Sequence, residues 1–178
     1  PVNIPLEDMF GKPPRTIMRD ETVKNNWKAV TYDESLLNKY LEAVLQLEAV
    51  SNKDWLTNKV DRSVTGRVAK QQTCGEVQIP LNNVGVMATD YRGKNGMATS
   101  IGHAPVQGLV DERAASRIAI TEALANIVWA PIEGGLGAVS LSANWMWPCK
   151  NKGEDARLYN AVEEVSNFCI ELGINVPT

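Results

Sequence analysis

Glu122 and Asn126 stand four residues apart in residues 111–129, DERAASRIAITEALANIVW, an alanine-rich stretch. On a helix that spacing puts a carboxylate and an amide on one face, a turn apart. Apart from Asp111, Glu112, Arg113 and Arg117 at its start, Glu122 is the only charge in the stretch. A helix this apolar is expected to be buried, and buried polar groups need partners. For this pair the partner is a structural hydrogen bond, a metal, or another chain.

Other residues able to do chemistry are scattered. Lys53 precedes a short strand candidate over residues 54–60 and a polar turn, Asp61-Arg62-Ser63-Val64-Thr65-Gly66. Its plain reading is a solvated lysine. His103, the only histidine, sits in residues 97–105, which carry no decisive period, and reads as a loop residue. General acid–base work there would need an orienting carboxylate that sequence does not place. Glu133-Gly134-Gly135-Leu136-Gly137 approaches a phosphate-binding glycine string. It follows a helix and precedes a strand, the reverse of the order that cradles phosphate, so it reads as a chain reversal.

The elements that must position these residues follow from periodicity. Residues 1–21 hold four of the nine prolines and read as an extended arm. Thr31-Tyr32-Asp33-Glu34 has capping-box form, and Leu37, Tyr40, Leu41, Val44 and Leu47 then recur at helical spacing, predicting a helix over 33–49. Residues 77–81 read as a strand, Val84, Val86 and Ala88 alternate as another, and 90–95 is a loop. Residues 138–143 read as a strand after the glycines. Trp145 and Trp147 at its end either cap the core or meet a neighbouring domain. Gly153-Glu154-Asp155 starts a final helix, with Leu158, Val162, Val165, Cys169 and Leu172 on one stripe and Gly173 as its stop. This order favours an α+β fold, a mixed or antiparallel sheet with helices on one face. Its other face is left for a second domain or a second copy to cover.

Composition narrows the function. The 178 residues suffice for one domain with an arm, and 44% hydrophobic content for a core. Eighteen basic and twenty-one acidic residues give a net charge of −3, without the basic cluster that nucleic acid or a membrane surface would call for. Three separated cysteines, Cys74, Cys149 and Cys169, and one histidine indicate neither a zinc site nor a disulfide framework. A reducing, cytoplasmic setting fits. The absence of an initiator Met and an ending that reads as the start of a strand suggest a piece of a longer protein.

Five strings in order carry a resemblance: Asp61-Arg-Ser-Val-Thr-Gly66, Met97-Ala-Thr-Ser-Ile-Gly102, Thr121-Glu-Ala-Leu-Ala-Asn126, Leu141-Ser-Ala-Asn-Trp145 and Gly153-Glu-Asp155. Together they resemble the long single-chain phosphoribosylformylglycinamidine synthases, from about Gly11 to the end. The match is to the N-terminal sheet domain of the second synthetase half. The resemblance implies an aminoimidazole ribonucleotide synthetase-like fold whose sheet pairs with another into a barrel, with residues 1–30 as an arm and 31–178 as the domain. It implies a ligase that uses ATP and glutamine to turn formylglycinamide ribonucleotide into the amidine, this piece holding an auxiliary ADP with Mg2+ and no catalytic residue. Glu122 and Asn126 match the family's magnesium ligands, Lys53 a lysine near the nucleotide, and Asn83 stands where an aspartate ligand is common. The implied partners are the other domains of the polypeptide; alone, the piece is expected to dimerise through its sheet. Another ATP-dependent enzyme of the same superfamily and a non-catalytic assembly module are the alternatives.

Overall fold

The computed structural model describes residues 3–12, 15–18, 21–53, 67–70, 76–77 and 83–178. The strand expected over 54–60, the turn at 61–66, residues 78–82 and Cys74 lie outside the described residues. The expectation of an α+β chain is met by a three-stranded antiparallel sheet in the order β1-β2-β3, formed by β1 (Val68–Lys70), β2 (Val84–Ala88) and β3 (Gly96–Ser100). In β2 and β3, Val84 pairs with Ser100, Val86 with Ala98 and Ala88 with Gly96. These residues share one face, because side chains alternate across a strand. The hairpin turn over 89–95 closes on Asp90, whose Oδ1 accepts from the Arg92 and Gly93 amides at 2.6 and 2.8 Å.

Among the described residues the helices are α1 (Leu6–Phe10), α2 (Leu37–Leu45), α3 (Pro105–Val110), α4 (Glu112–Ile127) and α5 (Glu154–Leu172), with 3-10 turns at Glu34–Leu36 and Gly135–Ala138. The arm is therefore not wholly extended: Pro5 precedes α1, where a fixed φ leads into a helical turn. The helix expected over 33–49 is shorter. A 3-10 turn, Glu34–Leu36, leads into α2, and the cap is Asp33 rather than Thr31, its Oδ1 accepting from the Ser35 amide and hydroxyl. Val77 lies in a turn, not a strand.

α4 is the hub, packing on β3, α3 and α5. Asp111 caps it by accepting from the Ala114 amide at 2.8 Å. Contrary to the expectation of a buried helix, only Ala115, Ser116 and Ile120 are buried, while Ile118 is exposed. The covered stripe is narrow because its neighbours meet it through small residues: Ser116 Oγ donates to the Ala161 carbonyl of α5 at 3.2 Å. α5 begins after Gly153 and ends at Gly173, where a φ of 69° lets the Ile174 amide reach back to the Cys169 carbonyl.

The strand expected over 138–143 is only partly one. Gly134 and Gly135 lead into the 3-10 turn, and beyond it a single parallel bridge joins Ser140 to Asn175. The Leu141 and Ala143 amides donate to the carbonyls of Asn175 and Thr178. Trp147 is half-buried: its Nε1 donates to Glu154 at 2.8 Å and Arg157 lies over its ring.

Charges lock α4 to α5. Arg157 ties Glu112 at 3.2 Å and Glu154 at 3.0 Å and also donates to the Gly108 carbonyl. Arg113 reaches Glu163 at 2.6 Å, and Arg117 pairs with Glu164 while stacking on Phe168. Burial disfavours the charged form of Glu112, yet bonds from Asn160 and Arg157 outweigh it and hold the carboxyl below its ordinary 4.5. A depressed folded-state pKa supplies stability that is present above 4.5 and lost as pH falls through the folded value. Urea unfolding of the wild type is therefore expected to shift to lower denaturant as pH drops below that range. Glu112→Gln should show a lower midpoint at pH 7 and a flatter acid dependence; an unchanged slope would refute the assignment.

Candidate functional site

The site grows from the close approach of the chain after β3 to the body of α4. Gly102 lies against that helix so tightly that a Cβ would overlap the Ala119 carbonyl oxygen and the Ala123 amide nitrogen and come within 3.1 Å of Ala123 Cα. Only a residue without a side chain fits, and only alanines on the helix leave room. On either side of Gly102, hydrogen bonds fasten the loop. Ser100 Oγ donates to the Ala123 carbonyl at 2.7 Å. Asn126 Nδ2 donates to the Ile101 carbonyl at 3.0 Å, and the His103 amide donates to Glu122 Oε2 at 3.0 Å.

The two polar residues of α4 therefore meet the same four-residue loop. Each spends one polar atom on it, so Glu122 Oε1 and Asn126 Oδ1 carry no hydrogen bond among the described residues. The Glu122 side chain is 40% exposed, which leaves its carboxylate accessible from solvent. Asn83 joins the same end of the sheet. It directly precedes Val84, whose register partner Ser100 directly precedes Ile101. It is exposed, in a bend.

Lys53 is placed differently. Its Nζ donates to the carbonyls of Glu48 and Ser51, at 2.6 and 3.1 Å, in the turn that follows α2. Neither a hydrogen bond nor an ion pair joins it to Glu122 or Asn126. His103 now has the nearby carboxylate that sequence could not place, but Nδ1 lies 3.9 Å from Glu122 Oε2, beyond hydrogen-bonding range. Its contribution to the site is its backbone amide.

The donor set suits a hard cation held in part by something else. One carboxylate and amide oxygens are oxygen ligands of the kind magnesium takes, and magnesium commonly keeps waters and phosphate oxygens in its remaining positions. Among the described residues no cluster of three or more His, Cys, Asp or Glu could hold a metal by itself. What the described residues supply at this site is one carboxylate and amide oxygens, donors of the type a hard cation such as Mg2+ takes. Away from this site, an apolar groove of about 330 Å³ between α5 and the chain end is lined by Trp145, Val162, Val165, Cys169, Ile170 and Ile174, without convergent charge. Cys149 and Cys169 are free; burial pushes both thiols up, and the charge of Asp155 adds to the effect at Cys149.

Sequence reading singled out Glu122, Asn126 and Asn83 as candidates but missed Ser100, Gly102 and the Ile101 and His103 backbone that meet Glu122 and Asn126 on α4. A signal was present in Met97-Ala-Thr-Ser-Ile-Gly102, where a glycine ends a strand, a pattern that often marks close backbone approach.

An antiparallel sheet backed by a small-residue helix defines an α+β domain. The chain belongs to the FGAR-AT PurM_N-like domain family, whose model matches residues 52–178. It is 42% identical over 185 residues to a phosphoribosylformylglycinamidine synthase of Dictyostelium discoideum, covering 99% of this chain and 14% of that protein. It is 41% identical over 177 residues to the Homo sapiens protein of that name, covering 99% of this chain and 13% of the relative. A probable chloroplastic/mitochondrial phosphoribosylformylglycinamidine synthase of Arabidopsis thaliana is 39% identical over 176 residues, 98% of this chain and 12% of that protein. The chain thus spans about an eighth of the length of these relatives.

Gly102→Ala is expected to push the loop off α4 and to destabilise the fold by about 1–3 kcal/mol, the usual cost of overpacking. Urea unfolding with matched slopes checks this; a midpoint equal to the wild type would contradict the contact.

Proposed function

We propose that this chain is one domain of a phosphoribosylformylglycinamidine synthase, a ligase that uses ATP and glutamine to convert formylglycinamide ribonucleotide to its amidine in purine biosynthesis. The observation that carries the reading is 37–42% identity over 98–99% of the chain to relatives bearing that name. In the reaction, ATP activates the amide oxygen, ammonia derived from glutamine displaces it, and ADP, phosphate and glutamate are released. The proposed setting is cytoplasmic. Among the described residues no helix is long and apolar enough to cross a membrane.

The part assigned to this domain is an auxiliary, structural nucleotide site. Bound there, ADP with Mg2+ would supply fixed charge that ties the domain to its neighbour. Glu122 Oε1 and Asn126 Oδ1 are the oxygens available to the cation, Asn83 lies at the same end of the sheet, and Lys53 would serve the nucleotide after leaving its turn. Hydrogen bonding to the loop and metal ligation are compatible, because each side chain has an atom for both. Residues 1–30 would act as an arm from the preceding domain and 31–178 as the domain proper. The arm is fastened by a Lys152–Glu21 pair at 3.3 Å and by Val23 against Gly153.

The sheet's outer face supports the pairing of two such domains into a barrel. Met87 and Met97 face each other across β2 and β3 and are both exposed, as is Thr99 on the same face. A homologous domain in the same polypeptide, or a second copy of an isolated piece, would cover them.

Two measurements test these proposals. The full-length polypeptide supplied with formylglycinamide ribonucleotide, ATP and glutamine is expected to yield the amidine and ADP; turnover of ATP without amidine would sink the assignment. The 178-residue chain is expected to self-associate in sedimentation experiments, and Met97→Asp to weaken that association about tenfold or more. A clean monomer at every accessible concentration would show that the face is covered otherwise.

A further inference from the structure

The loop after β3 does more than pack. It takes the Nδ2 of Asn126 and the Oε2 of Glu122, and its two contacts differ in polarity: the Ile101 carbonyl can only accept, while the His103 amide can only donate. We propose that residues 100–103 are the positioning frame of the metal-ligand pair and that they fix the chemistry of position 126: it must be an amide, because the frame demands a donor there and the cation an acceptor. This rests on the nucleotide–Mg2+ site proposed above.

The geometry leaves little freedom. An asparagine whose NH2 satisfies Ile101 necessarily turns its Oδ1 away from that carbonyl, one helical turn from the free Oε1 of Glu122. Aspartate would bring more negative charge to a cation, but its carboxylate would face the Ile101 carbonyl with no proton to give, and would swing out of register. Ser100 secures the frame by donating to the carbonyl of Ala123, the residue after Glu122, at 2.7 Å. Gly102 lets the frame sit directly on the helix backbone. Ser100 and Gly102 are thus positioning residues that touch neither metal nor nucleotide, and the polarity of the two backbone groups selects the pair Glu122 and Asn126 over two carboxylates.

Hydrogen exchange read by mass spectrometry on the full-length polypeptide gives a local test, since peptides spanning 100–104 and 119–127 report this site alone. Without nucleotide, Asn126→Asp is expected to speed exchange in the 100–104 peptide about tenfold, and Ser100→Ala by a smaller factor, with Ser100→Thr restoring protection. With MgADP added, protection of the 119–127 peptide should rise to saturation in the wild type, and the midpoint should move about tenfold higher in Asn126→Asp. If charge rather than the frame governed the ligand, Asn126→Asp would bind at an equal or lower midpoint, and that result overturns the inference while leaving the site intact. No response of the wild type to MgADP overturns the site, and the inference with it. Circular dichroism melts of each variant establish that the midpoints are read on folded protein.

Discussion

The contact between Gly102 and the backbone of α4 is the constraint on which the rest of the structure hangs. Where two backbones meet without side chains between them, hydrogen bonds on either side of the contact become short and mutually fixed. Ser100, Ile101 and His103 each bond to α4 within a five-residue span, from Glu122 to Asn126. The sheet is thereby tied to the helical layer at the C-terminal end of β3, and Glu122 and Asn126 of α4 are oriented by the same contact. A bulkier residue at 102, 119 or 123 would separate sheet from helix and release the polar pair together.

The other side of α4 solves a different problem. With so few large side chains buried, hydrophobic burial alone gives this part of the chain modest support, and the core is chiefly Ala115, Ala156, Ala161, Cys169 and Ile174. The α4–α5 seam is reinforced by Arg157 between Glu112 and Glu154, and by Arg113 and Arg117 on the acids of α5. Ion pairs of this kind add modestly when exposed and more when shielded, so the Arg157 cluster, whose side chains are 13–18% exposed, matters most. The seam holds α4 rigid from behind while the loop after β3 holds it from the front, and ligands on a helix need both to keep their geometry.

The chain belongs to the FGAR-AT PurM_N-like domain family over residues 52–178. Met87 and Met97 on the outer face of the sheet and Leu37, Leu41 and Val44 on α2 are exposed apolar surface. Within the chain the arm lays Val23 over Gly153.

The sequence by itself determined the elements with strong local signals. The α4 and α5 helices follow from helical spacing and from Gly173 as a stop, and β2 follows from the alternation of Val84, Val86 and Ala88, because these signals act within a few residues. It also picked out Glu122 and Asn126, since polar groups in an apolar helix must find partners. Tertiary structure alone decided who those partners are. The short α3 helix, the reduction of the 138–143 strand to one bridge with Asn175, and the exposed flank of α4 depend on contacts between residues far apart in the chain. The same holds for the site: Gly102 looks like any glycine after a strand until the helix backbone is laid against it. Asn126 is an amide of either orientation until the Ile101 carbonyl, which can only accept, fixes which atom points outward.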